Sequence, residues 1–288
     1  MGGSTWTASA FTSYSLNSGK SYNYTTGRVL NQVYEMRHMA DILNPKGVIR
    51  ECCISEEHPN PIPVILALDV TGSMGSACQE TAEALGIIMK DLYSKFKDIE
   101  IMVMGIGDFE CDDAPLQAGQ FESDIRIAEQ LDKIYMEHGG GGNRYESYTA
   151  AWYFGLHNTK LEPFDKQGRK GIIITMGDEP LNPSLPEGRF KEYLGAKQLS
   201  SVSTPQLYEE ASKKFDIFHI AVDDPADSYE RYKEDIQESF GKVLGKRLKT
   251  SSINALSNTI VECIEESINS TSNEVSETKF DESGAITW

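Results

Sequence analysis

Apolar positions along this chain change period several times, and the changes mark out its elements. Residues 64–68 are a continuous apolar run of the kind that fills a central parallel strand, bounded by an extended proline-rich connector before it and a Gly turn after it. Similar runs at 99–106, 171–175 and 215–222 predict further buried strands. Between them the period lengthens. Residues 77–95, 123–136, 148–156, 205–214 and 226–240 carry apolar positions at helical spacing, with Ala150, Ala151 and Gly155 permitting close packing in the third. Leu256, Ile260, Ile264 and Ile268 fall in register on a final helix over 253–267. Weaker signals predict a strand near 116–121, paired as a hairpin with 99–106 at a sheet edge, and an edge strand over 243–248. A short helical piece is expected near 190–199 inside a Pro- and Ser-rich connection.

Alternation of strand and helix predicts an α/β fold with a doubly wound, mostly parallel sheet and helices on both faces. Outside that core, residues 1–25 are rich in Ser, Thr, Gly and Tyr and read as an extended arm. Val29, Val33, Met36, Ala40 and Leu43 place a helix over 28–43, ended by Pro45 and Gly47, and 48–54 is a candidate strand. Residues 269–288 read as a flexible acidic tail. The expected division is an N-terminal arm with a short helix over 1–60, a core domain over 61–268 and the tail over 269–288.

The chain has 288 residues, 44 acidic against 27 basic, for a formal charge of −17. That balance argues against a nucleic-acid backbone or an anionic membrane as the main partner. It suits divalent cations or a basic protein surface. The five cysteines show neither CxxC nor Cys/His spacing, and Cys78 and Cys263 fall on helices as small core residues. Met1-Gly2-Gly3-Ser4 leads into Ser, Thr and Tyr, not into a basic-then-apolar leader, so a cytoplasmic location is expected. The five histidines are scattered, with no HExxH, and no P-loop or Gly-x-Ser-x-Gly elbow is present.

The candidate chemistry lies at Asp69-Val70-Thr71-Gly72-Ser73-Met74. A buried strand ends at an Asp and turns through Gly with two hydroxyls at alternate positions. Three hard oxygen donors on one loop suit Mg²⁺ or Mn²⁺ better than Zn²⁺. A second buried strand ends at Met176-Gly177-Asp178. Ligands of parallel sheets sit beyond the carboxyl ends of the strands, so topology alone should bring Asp69 and Asp178 to one edge. A plainer possibility is that Asp69 and Ser73 only cap the helix that follows. It leaves unexplained both the second Asp and the Gly-rich loop 139–142 between them.

Asp69-x-Thr71-x-Ser73 resembles the metal-ion-dependent adhesion site (MIDAS) of von Willebrand factor A (vWA) domains, whose pattern is Asp-x-Ser-x-Ser. The resemblance spans about residues 62–268. It implies a further ligand from the loop Gly139-Gly140-Gly141-Gly142-Asn143-Arg144-Tyr145-Glu146, where Glu146 lies nearest the ligand position and Asn143, Ser147 and Thr149 are alternatives. It also implies a last carboxylate at Asp178. The cofactor expected is Mg²⁺, or Mn²⁺ or Ca²⁺, with an open position for an acidic residue of a protein partner and an acidic rim at Asp108, Glu110, Asp112 and Glu179. Members inside cells act as adaptors in assemblies, including with AAA+ ATPases, so a non-enzymatic binding module is expected. In relatives ligand binding can move the last helix, here 253–267.

The same residues also resemble the nucleophile loop of haloacid-dehalogenase-like phosphohydrolases and P-type pumps. Asp69 would then be phosphorylated, Asp178 would hold Mg²⁺, and a lysine such as Lys170 would stabilise charge. Two features count against this. Met74-Gly75 runs directly into a long helix, and no lysine follows a Ser/Thr-ended strand at the right place.

Overall fold

A computed structural model of the chain describes residues 5–26, 28–30, 34–137, 144–195, 202–223 and 228–281. It begins with helix α1 (Ala8–Asn17), the antiparallel pair β1 (Ser21–Asn23) and β2 (Arg28–Leu30), and the short strand β3 (Arg50–Cys52). The core follows with β4 (Ile62–Asp69), α2 (Gly75–Lys95), β5 (Ile99–Ile106), β6 (Leu116–Ala118), α3 (Arg126–Leu131) and α4 (Thr149–His157). Then come β7 (Thr159–Leu161), α5 (Glu162–Gln167), β8 (Gly171–Gly177), α6 (Glu187–Leu194) and α7 (Thr204–Ala211). The chain closes with β9 (Phe215–Asp223), α8 (Ser228–Leu244), β10 (Leu248–Ser252) and α9 (Leu256–Asp281).

Six strands form one sheet in the order β10-β9-β8-β4-β5-β6, parallel throughout except for the antiparallel edge strand β6. β4 lies inside it, and its residues 63–69 are all buried. Alternate side chains serve opposite faces. Val64, Leu66 and Leu68 join Leu85, Met89 and Ile260 from α2 and α9. Ile65 and Ala67 join Trp152, Phe154 and Phe240 from α4 and α8. This two-sided burial is why the central strands read as unbroken apolar runs. At Gly155 of α4 an added Cβ would lie 2.9 Å from Ile173 Cδ1, so the helix needs small residues to reach β8. Cys78 and Cys263 are buried on α2 and α9, as expected. Among the described residues no helix is long and apolar enough to cross a membrane.

The flanking segments differ from their sequence reading. The arm is not wholly extended. Thr7 caps α1, its hydroxyl accepting from Ala10 N at 3.2 Å, and Trp6 and Phe11 are buried with ring centroids 5.0 Å apart. Trp6 N donates to Ser123 O at 2.7 Å. The helix expected over 28–43 is absent from its described part. Arg28–Leu30 is a strand, 34–40 is irregular, and Asp41–Leu43 is one 3₁₀ turn. Burial against α2 outweighs a weak helical period. Val29 and Leu43 are buried, Arg28 grips Glu80 through both guanidinium nitrogens, and Tyr34 OH donates to Cys78 O at 3.0 Å.

At the other end, α8 runs past its expected stop because Ile236, Phe240 and Leu244 continue its buried stripe, and Gly245 with φ +55° then ends it. The edge strand therefore starts at Leu248 instead of 243. The expected tail is helical as far as Asp281, since no Gly or Pro interrupts 269–281. Residues 282–288 lie outside the described ones. Between α4 and β8 the sequence reading missed β7 and α5. β7 is three residues long and pairs in parallel with β3, away from the main sheet.

The buried arm has a measurable consequence. Trp6→Ala should destabilise the fold by about 3 kcal/mol or more, the cost of removing a buried aromatic, seen as a lower urea midpoint at unchanged slope. An unchanged midpoint would mean that the arm is not part of the cooperative fold.

Candidate metal centre

Asp69 is the last residue of β4, opposite Ile106 of β5. Val70 N donates to Ile106 O at 2.8 Å, carrying the ladder one residue further before Thr71 turns the chain into a 3₁₀ turn at Gly72–Met74 and then α2. The Asp69 carboxylate is fully buried. Its Oδ1 accepts from Thr71 N at 3.0 Å and Thr71 Oγ1 at 2.6 Å, and its Oδ2 accepts from Tyr148 OH at 2.7 Å. Met74 stands at the N-cap of α2, and its side chain makes no cap bond. Thr71 gives its hydroxyl proton to Asp69. Ser73 sits in the 3₁₀ turn, and its side chain lies outside the described ones.

Asp178 directly follows β8 and is buried. β4 and β8 are neighbours in parallel, with Leu68 opposite Met176, so the two strands release their carboxylates side by side. Glu146 comes to the same place by another route. Its backbone bridges Leu181 in the segment after Asp178, and its side chain is 3% exposed. Glu146 Oε2 is buried with no hydrogen-bond partner. The alternatives to Glu146 are otherwise engaged. Ser147 Oγ accepts from Phe109 N at 3.1 Å and donates to Asp108, while Thr149 Oγ1 accepts from Asn182 Nδ2 at 2.5 Å. Asn143 and the glycines 139–142 lie outside the described residues.

The electrostatics are those of crowded carboxylates under low dielectric. Burial, and then the charges of Asp69, Glu179, Asp112 and Asp108, push Glu146 up to about 11. Burial, and then Asp178, raises Asp69 to about 8 against the opposing pull of its bonds from Thr71 and Tyr148. Glu179 rises to about 7 and Asp112 to about 6, burial leading in both. Arg231 and Arg189 pull these two downward without offsetting the burial. Arg189 itself donates to the carbonyls of Phe109 and Asp112.

An orphaned carboxylate oxygen beside two strand-end carboxylates fits a hard divalent cation. Among the described residues no group of three or more His, Cys, Asp or Glu side chains is arranged to hold a metal by itself. An ion here would therefore have to draw on other donors as well.

The expected acidic rim is only partly a rim. Glu110 is exposed, whereas Asp108 and Asp112 are buried and shape their own loop. Asp112 Oδ2 accepts from Asp108 N at 2.6 Å, and Asp108 Oδ1 accepts from Glu110 N at 3.0 Å. Lys170 precedes β8 while Asp178 follows it, which separates them by the length of a seven-residue strand, roughly 20 Å. Lys170 instead pairs with Asp216 at 3.9 Å, so it cannot stabilise charge at Asp69. His219 is a neutral core residue, its Nδ1 2.8 Å from Thr175 Oγ1 and its pKa pushed down to about 3 by burial. The sequence reading missed Tyr148. Its signal was indirect, in the Gly of Met176-Gly177-Asp178. A Cβ there would lie 1.9 Å from Tyr148 OH.

No protein-family model matches the chain, and no curated protein matches it. Among solved structures it is similar to the pilus adhesin SpaC from Lactobacillus rhamnosus GG. The open conformation superposes with a TM-score of 0.49 at 11% identity, and a second form with 0.48 at 12%. Each match covers 77% of this chain and 31% of the adhesin, so the chain spans under a third of that protein's length.

Raised carboxylate pKa values set the pH response. Unfolded, Asp69 ionises near 3.8; folded, it holds its proton to about 8. Between these values the unfolded chain has lost a proton that the folded chain keeps, so stability falls as pH rises. In EDTA the thermal midpoint should be lower at pH 8 than at pH 5, and Mg²⁺ should raise it more at pH 8, where ion and proton no longer compete. A metal-free midpoint that climbs from pH 5 to pH 8 would contradict this arrangement.

Proposed function

We propose that residues 61–268 form a vWA domain, a doubly wound Rossmann-like sheet whose MIDAS holds a divalent cation and captures a protein partner. The observation that carries this reading is Glu146 Oε2, a buried oxygen without a partner beside the Asp69 and Asp178 strand ends. Asp69, Thr71, Ser73, Glu146 and Asp178 would hold the ion, and the two-sided burial of β4 supports the doubly wound reading. Mg²⁺ is the preferred ion, with Mn²⁺ and Ca²⁺ as substitutes, because all the donors are hard oxygens. Bound there, the ion supplies a Lewis-acidic position for a Glu or Asp carboxylate of the partner. The chain's own part is to orient the donors and keep them from bulk water. In this reading the protein is a cytoplasmic adaptor without catalysis of its own, and an AAA+ ATPase or another assembly subunit is the kind of partner it serves. Neither nucleic acid nor membrane is a partner, in keeping with the net charge of −17.

Capture from native lysate in Mg²⁺, in EDTA and with Asp69→Ala tests the proposal. A partner should be retained in Mg²⁺ and lost in both other arms, while any phosphoester assay stays blank. Equal retention in EDTA would remove the ion from the interface, and phosphoester turnover that needs Asp69 would replace the reading with a phosphotransferase.

A further inference from the structure

The N-terminal arm meets the core near the start of β5, at the end of the sheet away from Asp69. Glu122 pairs there with Ile101 in an antiparallel bridge, Ile101 N donating to Glu122 O at 2.8 Å and Glu122 N to Ile101 O at 3.1 Å. Opposed residues of such a pair point to one face. The Glu122 side chain therefore shares a face with Ile101, which packs in one apolar cluster with Trp6, Phe11, Ile127 and Leu131. The next residue, Ser123, is the arm's backbone anchor. Its carbonyl accepts from Trp6 N and from Tyr93 OH, each at 2.7 Å. A carboxyl group only 9% exposed thus lies beside the point where the arm is seated.

Acids outnumber bases at this place. Arg126 Nη2 lies 2.8 Å from a Glu122 oxygen, and its Nε donates to Asp124 Oδ1, also at 2.8 Å, so two carboxylates share one guanidinium. On β5, Glu100 is buried with an oxygen that has no partner among the described residues. His58 joins the cluster from the connector before β4, its Nε2 3.2 Å from Ser123 Oγ and its Nδ1 3.4 Å from Asp98 Oδ1. The Tyr93 phenol on α2 is raised further above neutrality by burial. Burial also lifts Glu122 to about 7; Asp124 and Glu100 add to the rise, while Arg126 and the amino-terminal charge oppose it without cancelling it.

We propose that Glu122 is a proton-operated latch for the N-terminal arm: with a proton on its carboxyl group the arm seats beside it, and loss of that proton loosens residues 5–17 from the core. An acid that keeps its proton longer in the docked state than in the open one favours docking at low pH. With the arm lifted, water reaches the carboxylate, and Glu122 returns toward its ordinary 4.5. Docking is therefore firmest below that value and weakens as pH rises through about 7. The arm's other anchor lacks this dependence on the phenolic side, since Tyr14 OH donates to Asp132 Oδ2 at 2.7 Å and burial raises that phenol further above neutrality. Opening would bare the apolar seat of Trp6 and Phe11.

The test is amide hydrogen exchange of the full chain from pH 5 to pH 8, read by mass spectrometry and corrected for the intrinsic pH dependence of exchange. In wild type the protection of α1 should fall by about tenfold or more across this range. Glu122→Gln has no proton to lose there and should hold the protection level. Arg126→Ala removes the group that favours the charged form, so the fall should move to higher pH, which provides a readout if Glu122→Gln does not fold. Tyr14→Phe takes away an anchor without touching the latch and should lower protection alike at every pH. The strand-end carboxylates are the same in all four proteins, so the differences report on Glu122. Protection that stays level in wild type, or that falls equally in Glu122→Gln, overturns the proposal, as does a fall in Arg126→Ala at the wild-type pH.

Discussion

A buried carboxylate at the end of a central strand is the constraint around which this molecule is organised. Asp69 has no contact with solvent, and a charge so placed is unfavourable unless donors converge on it. The loop turns so that Thr71 can supply two donors, α4 begins where it does so that Tyr148 can supply the third, and Gly177 lacks a side chain so that Tyr148 can reach. These bonds satisfy Asp69 itself. They do nothing for Asp178 and Glu146, which parallel strand order and the bridge to Leu181 bring to the same spot. Carboxyl groups are therefore crowded where the fold can least solvate their charge, and burial raises the pKa of Asp69 and Glu146. A protein retains such an arrangement for function more readily than for stability.

The sheet was legible in the sequence because burial on both faces erases alternation. The runs at 64–68, 99–106, 171–175 and 215–222 read as strands for that reason, and their parallel order placed Asp69 beside Asp178 without any side-chain information. The flanks were illegible because their structure is borrowed. The Arg28–Leu30 strand and the irregular segment 34–40 are held by Glu80 and the Cys78 carbonyl of α2, and a helical period of five apolar residues could not reveal a partner elsewhere in the chain. α1 was hidden by Ser and Thr, which favour turns unless, as at Thr7, one of them caps.

Within the site, legibility followed chemistry. Asp69 and Asp178 stood out because an Asp at the end of an apolar run is unusual. Glu146, Ser147 and Thr149 could not be separated by spacing. What separates them is that Asp108, Phe109 and Asn182 engage the two hydroxyls and leave the carboxylate alone. Tyr148 escaped notice because a tyrosine ahead of a small-residue helix is ordinary core composition, and Lys170 misled because sequence distance hides which end of a strand a residue occupies.

The strap along α2 links regions distant in sequence. Arg28 and Tyr34 fasten the N-terminal segment to Glu80 and to the Cys78 carbonyl, and the Cys78 thiol donates to the Asp69 carbonyl at 3.0 Å. One turn of one helix is thus gripped from outside by the first part of the chain and from inside by the strand end that carries the carboxylate. The N-terminal segment and the loop at residue 70 therefore share a single anchoring point, the first turn of α2.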